Sequence, residues 1–203
     1  EKPDQEAVPS RQFDISKIDF DLLSREFTHT RRKNLLLRDL DELVNQQLAK
    51  MLFANPQRID YYDRYQEIID AYNAEQNRAT IEKTFMDLME LASSLDTEQQ
   101  RYVREGFSSD EELSVYDLLF SENLTKQEIE TIKKVSVDLL TKIKQQIAKL
   151  DHWTDKQETK AIVDNLIRNT LWQELPNSYD VSDIQTYQKK IYEYVYMRYP
   201  EVA

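Results

Sequence analysis

Two histidines and no cysteine stand in this 203-residue chain, so its stock of metal ligands and nucleophiles is small. The absence of cysteine excludes disulfide frameworks, thiolate zinc sites and cysteine nucleophiles. Glu26-Phe-Thr-His29 has the i, i+3 spacing that sets a carboxylate and an imidazole on one helix face, as in di-iron bundles. Such a centre needs the motif twice, and the residue three before His152 is Lys149, not a glutamate. One half-site cannot close a coordination shell, so Glu26 and His29 read as a surface pair. Glu158-Thr-Lys160 imitates the tail of a nuclease motif, but it falls mid-helix and the only Pro-Asp pair is Pro3-Asp4. A phosphate loop, a dinucleotide-binding turn or a nucleophile elbow each needs several glycines, and Gly106 is the only one here. No catalytic, cofactor-binding or metal residue is expected.

Two surface chemistries are left. Lys126, Lys133, Lys134, Lys142, Lys144 and Lys149 share one long helical stretch, with Lys133, Lys134 and Lys142 as candidate phosphate contacts. They alternate with Glu128, Glu130 and Asp138 and lack the arginines and clustered aromatics of a nucleic-acid face, so a solvated face is the plainer reading. Tyrosine is the compositional anomaly, with 12 copies, many in Asp60-Tyr-Tyr-Asp-Arg-Tyr65 and between Tyr187 and Tyr199. Ile184, Tyr187, Ile191, Tyr194 and Val195 make one stripe of the last helix, and Tyr192, Tyr196 and Tyr199 a second, rotated by about 100°. A helix that only covers a core needs one stripe. The second implies either deeper burial inside the domain or a docking surface for a partner, a use that suits tyrosine's amphipathic ring.

The elements that must carry these residues read as nearly all helix. Apolar residues at three-and-four spacing predict helices over residues 18–27, 32–52, 56–74, 80–95, 125–150, 154–175 and 182–199, with two short ones flanking Gly106. The expected inward residues include Leu36 and Leu40 in the second, Ile59 and Tyr62 in the third, and Ile162 and Ile167 in the eighth. Thr125-Lys-Gln-Glu128 is a capping box. Gly106 falls where a helix commonly ends in a left-handed residue, Phe107 follows it, and Ser108-Ser-Asp110 opens the next helix. Gly106 is therefore expected to be a structural helix cap.

One glycine and five prolines are too few for a β-sandwich or barrel. The expectation is an all-α single domain of about nine helices, packed mostly antiparallel because the loops are short. Residues 1–12 read as a linker and 13–203 as the helical domain, in a piece of a longer cytoplasmic chain without signal peptide or membrane span. The net charge of −11 is uneven: residues 1–124 hold 15 Lys/Arg against 26 Asp/Glu, and residues 125–203 hold 12 against 12. An acidic first half repels phosphate at long range.

Residues 99–120, QQRYVREGFSSDEELSVYDLLF, resemble a signature near the C-terminus of the restriction subunit of type I restriction–modification enzymes. The similarity continues in order through IDYYDRYQEIIDAYN, LTKQEIETIKKVSVDLLTKIK, Leu150-Asp-His-Trp153, Leu175-Pro176 and YEYVYMRYP, covering roughly residues 15–200. The resemblance implies a helical C-terminal domain of the motor-and-nuclease subunit, docking it onto the methyltransferase subunit. Tyr192, Tyr196 and Tyr199 are then the expected docking residues. ATP and magnesium would belong to the parent subunit's upstream domains, with no cofactor in this piece. DNA would be met through the complex, no membrane is implied, and the piece alone is expected to be a monomer. An independent nucleic-acid-binding module and an acidic DNA mimic are the alternatives left open by charge.

Overall fold

A computed structural model describes residues 18–75 and 77–200; the expected linker at residues 1–12 lies outside them. Among the described residues there are nine α-helices, one 3-10 turn and no strand. In chain order the helices are α1 (Phe20–His29), α2 (Lys33–Ala54), α3 (Ile59–Ala74), α4 (Arg78–Gln99), α5 (Arg101–Arg104), α6 (Asp110–Leu119), α7 (Lys126–Ile147), α8 (Gln157–Glu174) and α9 (Val181–Arg198). The fold is all-α.

Side-chain caps set most of the helix starts. Asp19 accepts from the Leu22 N–H at 2.9 Å to open α1, and Asn77 accepts from Thr80 at 2.9 Å to open α4. The Thr125–Glu128 capping box is formed in both directions. A second box, Asp180 with Asp183, opens α9 one residue before the expected start. The helix expected from residue 154 begins instead at Gln157, because residues 150–155 form a turn. His152 sits there at φ 45°, in the left-handed region that histidine tolerates better than most residues.

α5 ends in a Schellman motif. Gly106 has φ 83°; its N–H donates to Val103 O at 3.1 Å, and the Phe107 N–H donates to Tyr102 O at 2.8 Å. Phe107 is buried, and Tyr102 packs against the same core.

The chain divides into two compact units. The first comprises residues 18–49 and 61–98 of the described chain. Its core holds Val44, Leu48, Phe85, Leu88, Leu91, Ala92 and Leu95, all essentially inaccessible. Phe27, the buried anchor of α1, stacks on Phe85 with centroids 3.6 Å apart. Tyr65 donates to Asp41 at 2.8 Å and Arg64 pairs with Glu90 at 3.0 Å, which ties α3 to both α2 and α4. The buried face of α3 is Tyr65 and Ile68; Ile59 and Tyr62, expected inward, are exposed. The tyrosine run reads equally well in two adjacent registers, and the Tyr65–Asp41 bond selects one.

The second unit comprises residues 50–60 and 99–200 of the described chain. α6 meets α7, α7 meets α8, α8 meets α9, and α9 returns to α6, so the four helices close around one core. Leu113, Leu119, Ile132, Leu139, Ile143, Val163, Ile167, Leu171, Ile191 and Val195 fill it. Antiparallel pairing is visible where Asp164 and Lys160 of α8 meet Gln188 and Tyr196 of α9, and where Tyr116 and Glu111 of α6 meet Lys133 and Lys144 of α7. Ile162 is exposed and Val163 takes the inward position, a rotation of one residue from the expected stripe.

Candidate functional site

The outer side of α9 carries the most unusual surface of the second unit. Tyr192 is half-buried, Tyr196 is 39% exposed and Met197 is 67% exposed. Behind the two rings lies Trp153, 1% exposed, whose indole N–H donates to Tyr199 O at 2.6 Å. Tyr192 and Tyr196 each meet the indole edge-on, at centroid distances of 6.2 and 5.7 Å. That geometry suits the aromatic quadrupoles and adds about 1 kcal/mol per pair beyond area burial. Lys160 of α8 stands 5.7 Å over the Tyr196 ring, and with Tyr192, Glu193, Tyr196 and Met197 it lines a shallow hollow of about 310 Å³. Burial first, and the Asp164 carboxylate second, push the Tyr192 hydroxyl above its ordinary value, so it stays a neutral donor.

Tyr199 is placed differently. It is the C-cap of α9, its ring meets Tyr194 edge-on at 6.3 Å, and Lys144 lies 5.3 Å over it. Burial first, then the neighbouring Tyr194 and Glu111, drive its hydroxyl upward. Burial would also raise Glu111, but its bond to Lys144, with help from Tyr199 and Arg198, holds that carboxyl below the usual range. Tyr199 therefore belongs to the packing of the helix end, while Tyr192 and Tyr196 face outward.

The three candidate phosphate lysines are not brought together. Lys133 donates to Glu105 O at 3.1 Å, pairs with its carboxylate at 3.1 Å, and lies over the Phe107 and Tyr116 rings. Lys142 is held by Asp138 at 2.5 Å and Glu174 at 2.6 Å. Lys134 is exposed. Two of the three charges are thus already neutralised locally, which leaves little free field for phosphate.

A polar cluster that sequence reasoning did not single out ties residues 54–58 to α5 and α6. Arg58, 4% exposed, grips Asp110 through two bonds of 2.9 and 2.6 Å. Asn55, fully buried, caps the 3-10 turn Pro56–Arg58 and donates to Asp117 at 2.6 Å. Arg101 holds the same carboxylate, with one bond of 3.1 Å, and the Ser114 hydroxyl reaches Ala54 O at 3.0 Å. Bidentate arginine–carboxylate pairing of this kind fixes geometry as well as charge. No group of three or more histidine, aspartate or glutamate side chains among the described residues could hold a metal ion.

Across residues 6–199 the chain matches the family described as type I restriction enzyme HindI endonuclease subunit-like, C-terminal. It belongs to that family. No curated protein and no solved structure matches it. Within this type I restriction domain, the stretch that first carried the resemblance now has a physical account. Arg101, Asp110, Ser114 and Asp117 are its polar-cluster members, and Gly106 is its Schellman glycine. Leu150-Asp-His-Trp153 delivers the buried tryptophan, with His152 supplying the left-handed turn. Trp153 was legible only as part of a motif; its role behind Tyr192 and Tyr196 needed the loop and α9 in three dimensions. No helix among the described residues is long and apolar enough to cross a membrane.

Proposed function

We propose that this chain is the assembly domain of a type I restriction subunit, docking the ATP-dependent DNA translocase and endonuclease onto the methyltransferase core through the outer face of α9. The observation that carries this reading is the pair Tyr192 and Tyr196, held outward by edge contacts to the buried Trp153 and flanked by the exposed Met197. Rings fixed before contact lose little conformational freedom on docking, which is how a small aromatic patch acquires affinity. Lys160 and Glu193 at the edge of the hollow supply a polar rim. In this reading Tyr199 supports the helix end from inside.

ATP, magnesium and the cutting chemistry belong, in this reading, to other parts of the subunit, and DNA is met through the assembled complex in the cytoplasm. The isolated piece is a monomer with no activity of its own.

The test is a pull-down of the methyltransferase core with Tyr192→Ala and Tyr196→Ala combined, run beside thermal unfolding. Buried aromatic anchors cost about 2 kcal/mol or more each on truncation, so the double variant should lose roughly a thousandfold in binding. The melting temperature should fall by only the roughly 4–8 °C that losing the two edge contacts to Trp153 implies. A much larger fall in melting temperature would assign both rings to the domain's own core, and a folded double variant with undiminished binding would remove α9 from the interface.

A further inference from the structure

α1 covers its neighbour incompletely. Phe27 is its one buried residue, and Leu22 is 52% exposed. Between α1 and α2, within the first unit, lies a groove of about 570 Å³. Pockets of this size hold small ligands or the anchor side chains of a docked helix. Its floor is aliphatic, with Leu22 and Leu23 on one side and Leu36, Leu40 and Leu43 on the other. The last three follow i, i+4, i+7, a continuous stripe along α2.

The rim is acidic. Asp19 and Glu26 stand two turns apart on α1, and Asp39 and Glu42 one turn apart on α2, so a rail of carboxylates runs along each side. No lysine, arginine or histidine among the described residues lines the groove. Among the described residues the rim has one ion pair, Arg38 with Asp39 at 3.5 Å, and that arginine side chain is 72% exposed. Asp19 also caps α1, and Glu42 accepts from Gln46 at 3.2 Å, neither of which removes its charge.

An apolar trough between two carboxylate rails is complementary to one kind of surface: apolar anchors in a helical stripe, flanked by cations. Phosphate backbones and anionic lipid surfaces are repelled by the same rails. The lysine-rich helix of a second copy is a poor match, because α7 buries its apolar stripe and its Lys133, Lys142 and Lys144 are already paired. We propose that the α1–α2 groove docks a basic amphipathic helix of a partner protein, independently of the α9 surface.

The experiment titrates the full chain with a labelled helical peptide of roughly five turns, leucine at i, i+3, i+4 and i+7 and lysine elsewhere. A leucine–glutamate peptide of the same spacing and a lysine–serine peptide without leucine serve as comparisons. Saturable one-to-one binding is expected for the leucine–lysine peptide alone. Glu26→Lys with Glu42→Lys should weaken it about tenfold, and Leu22→Gln should weaken it as well. Asp63→Lys with Asp70→Lys, an equal charge change on exposed positions of α3, should shift it by less than about twofold. Equal losses from the two charge pairs would reduce the effect to the attraction of a chain with net charge −11 and overturn the proposal. So would indifference to Leu22→Gln, or binding seen only after deletion of residues 1–17, which would make the chain's own segment the occupant. A dimer in sedimentation that the groove variants split would replace the partner helix with a second copy.

Discussion

Gly106 isolates a backbone effect with unusual clarity. A Cβ built on it meets nothing within 4 Å, so steric crowding by neighbours plays no part. The φ of 83° remains, and a left-handed conformation costs an L-residue about 1 kcal/mol through its own backbone. Gly106→Ala should therefore lower unfolding free energy by about 1 kcal/mol in a denaturant titration, with the slope unchanged. A loss of several kcal/mol would mean that the helix end rearranges. The residue-scale lesson of Arg58 is the opposite. Nothing in its sequence context distinguishes it from solvated arginines such as Arg38, because its burial depends on Asp110, 52 residues away. Removing one member of such a pair leaves the other charge desolvated, at about 3 kcal/mol or more.

At the scale of elements, periodicity located all nine helices of the described residues, and its errors have physical causes. Ile162, beside Val163, and Tyr62, beside Tyr61, sit one position from the more buried faces, in stretches where adjacent residues are both apolar or aromatic and two registers compete. The start of α8 slipped because Thr154 resembles an N-cap, whereas the Thr159 hydroxyl donates back to Trp153 O at 2.7 Å and Lys156 O at 2.9 Å, closing a turn before the helix. The α7 start needed no tertiary information. Thr125 and Glu128 satisfy each other's backbone, and Thr125, with Ser178, holds the Glu128 carboxyl below its ordinary value of 4.5. Its contribution to stability is whole above pH 4.5 and is lost as pH falls through the lower folded value. Glu128→Gln should thus lower the melting temperature at pH 7 and narrow its gap from the parent as pH drops below about 4. A gap constant from pH 7 to 3 would contradict the charged cap.

At the scale of the molecule, composition was the most informative reading. A single glycine excludes the glycine-rich loops that cradle phosphates, and this reading extends to residues 1–17, which structure does not describe. The isolated chain should neither hydrolyse ATP nor nick DNA with magnesium. Nicking that survives purification and disappears on a point substitution in this chain would refute that. What composition could not reveal was how charge is used. The lysines of α7 look like a basic stripe in one dimension, and partners from α5, α6 and α8 neutralise Lys133, Lys144 and Lys142 in three.

The tie between residues 54–58 and α6 also sets a timetable. Ala54, Asn55 and Arg58 find their partners at Ser114, Asp117 and Asp110, 60, 62 and 52 residues further on. At about 5–20 residues per second, a ribosome needs roughly 3–10 s to make the chain that separates Arg58 from Asp110. Through that interval the nascent segment carries a guanidinium and an amide with no place to be buried, so the second unit cannot close early around its first eleven residues. Those residues wait for the very stretch, residues 99–120, whose polar side chains pair with them.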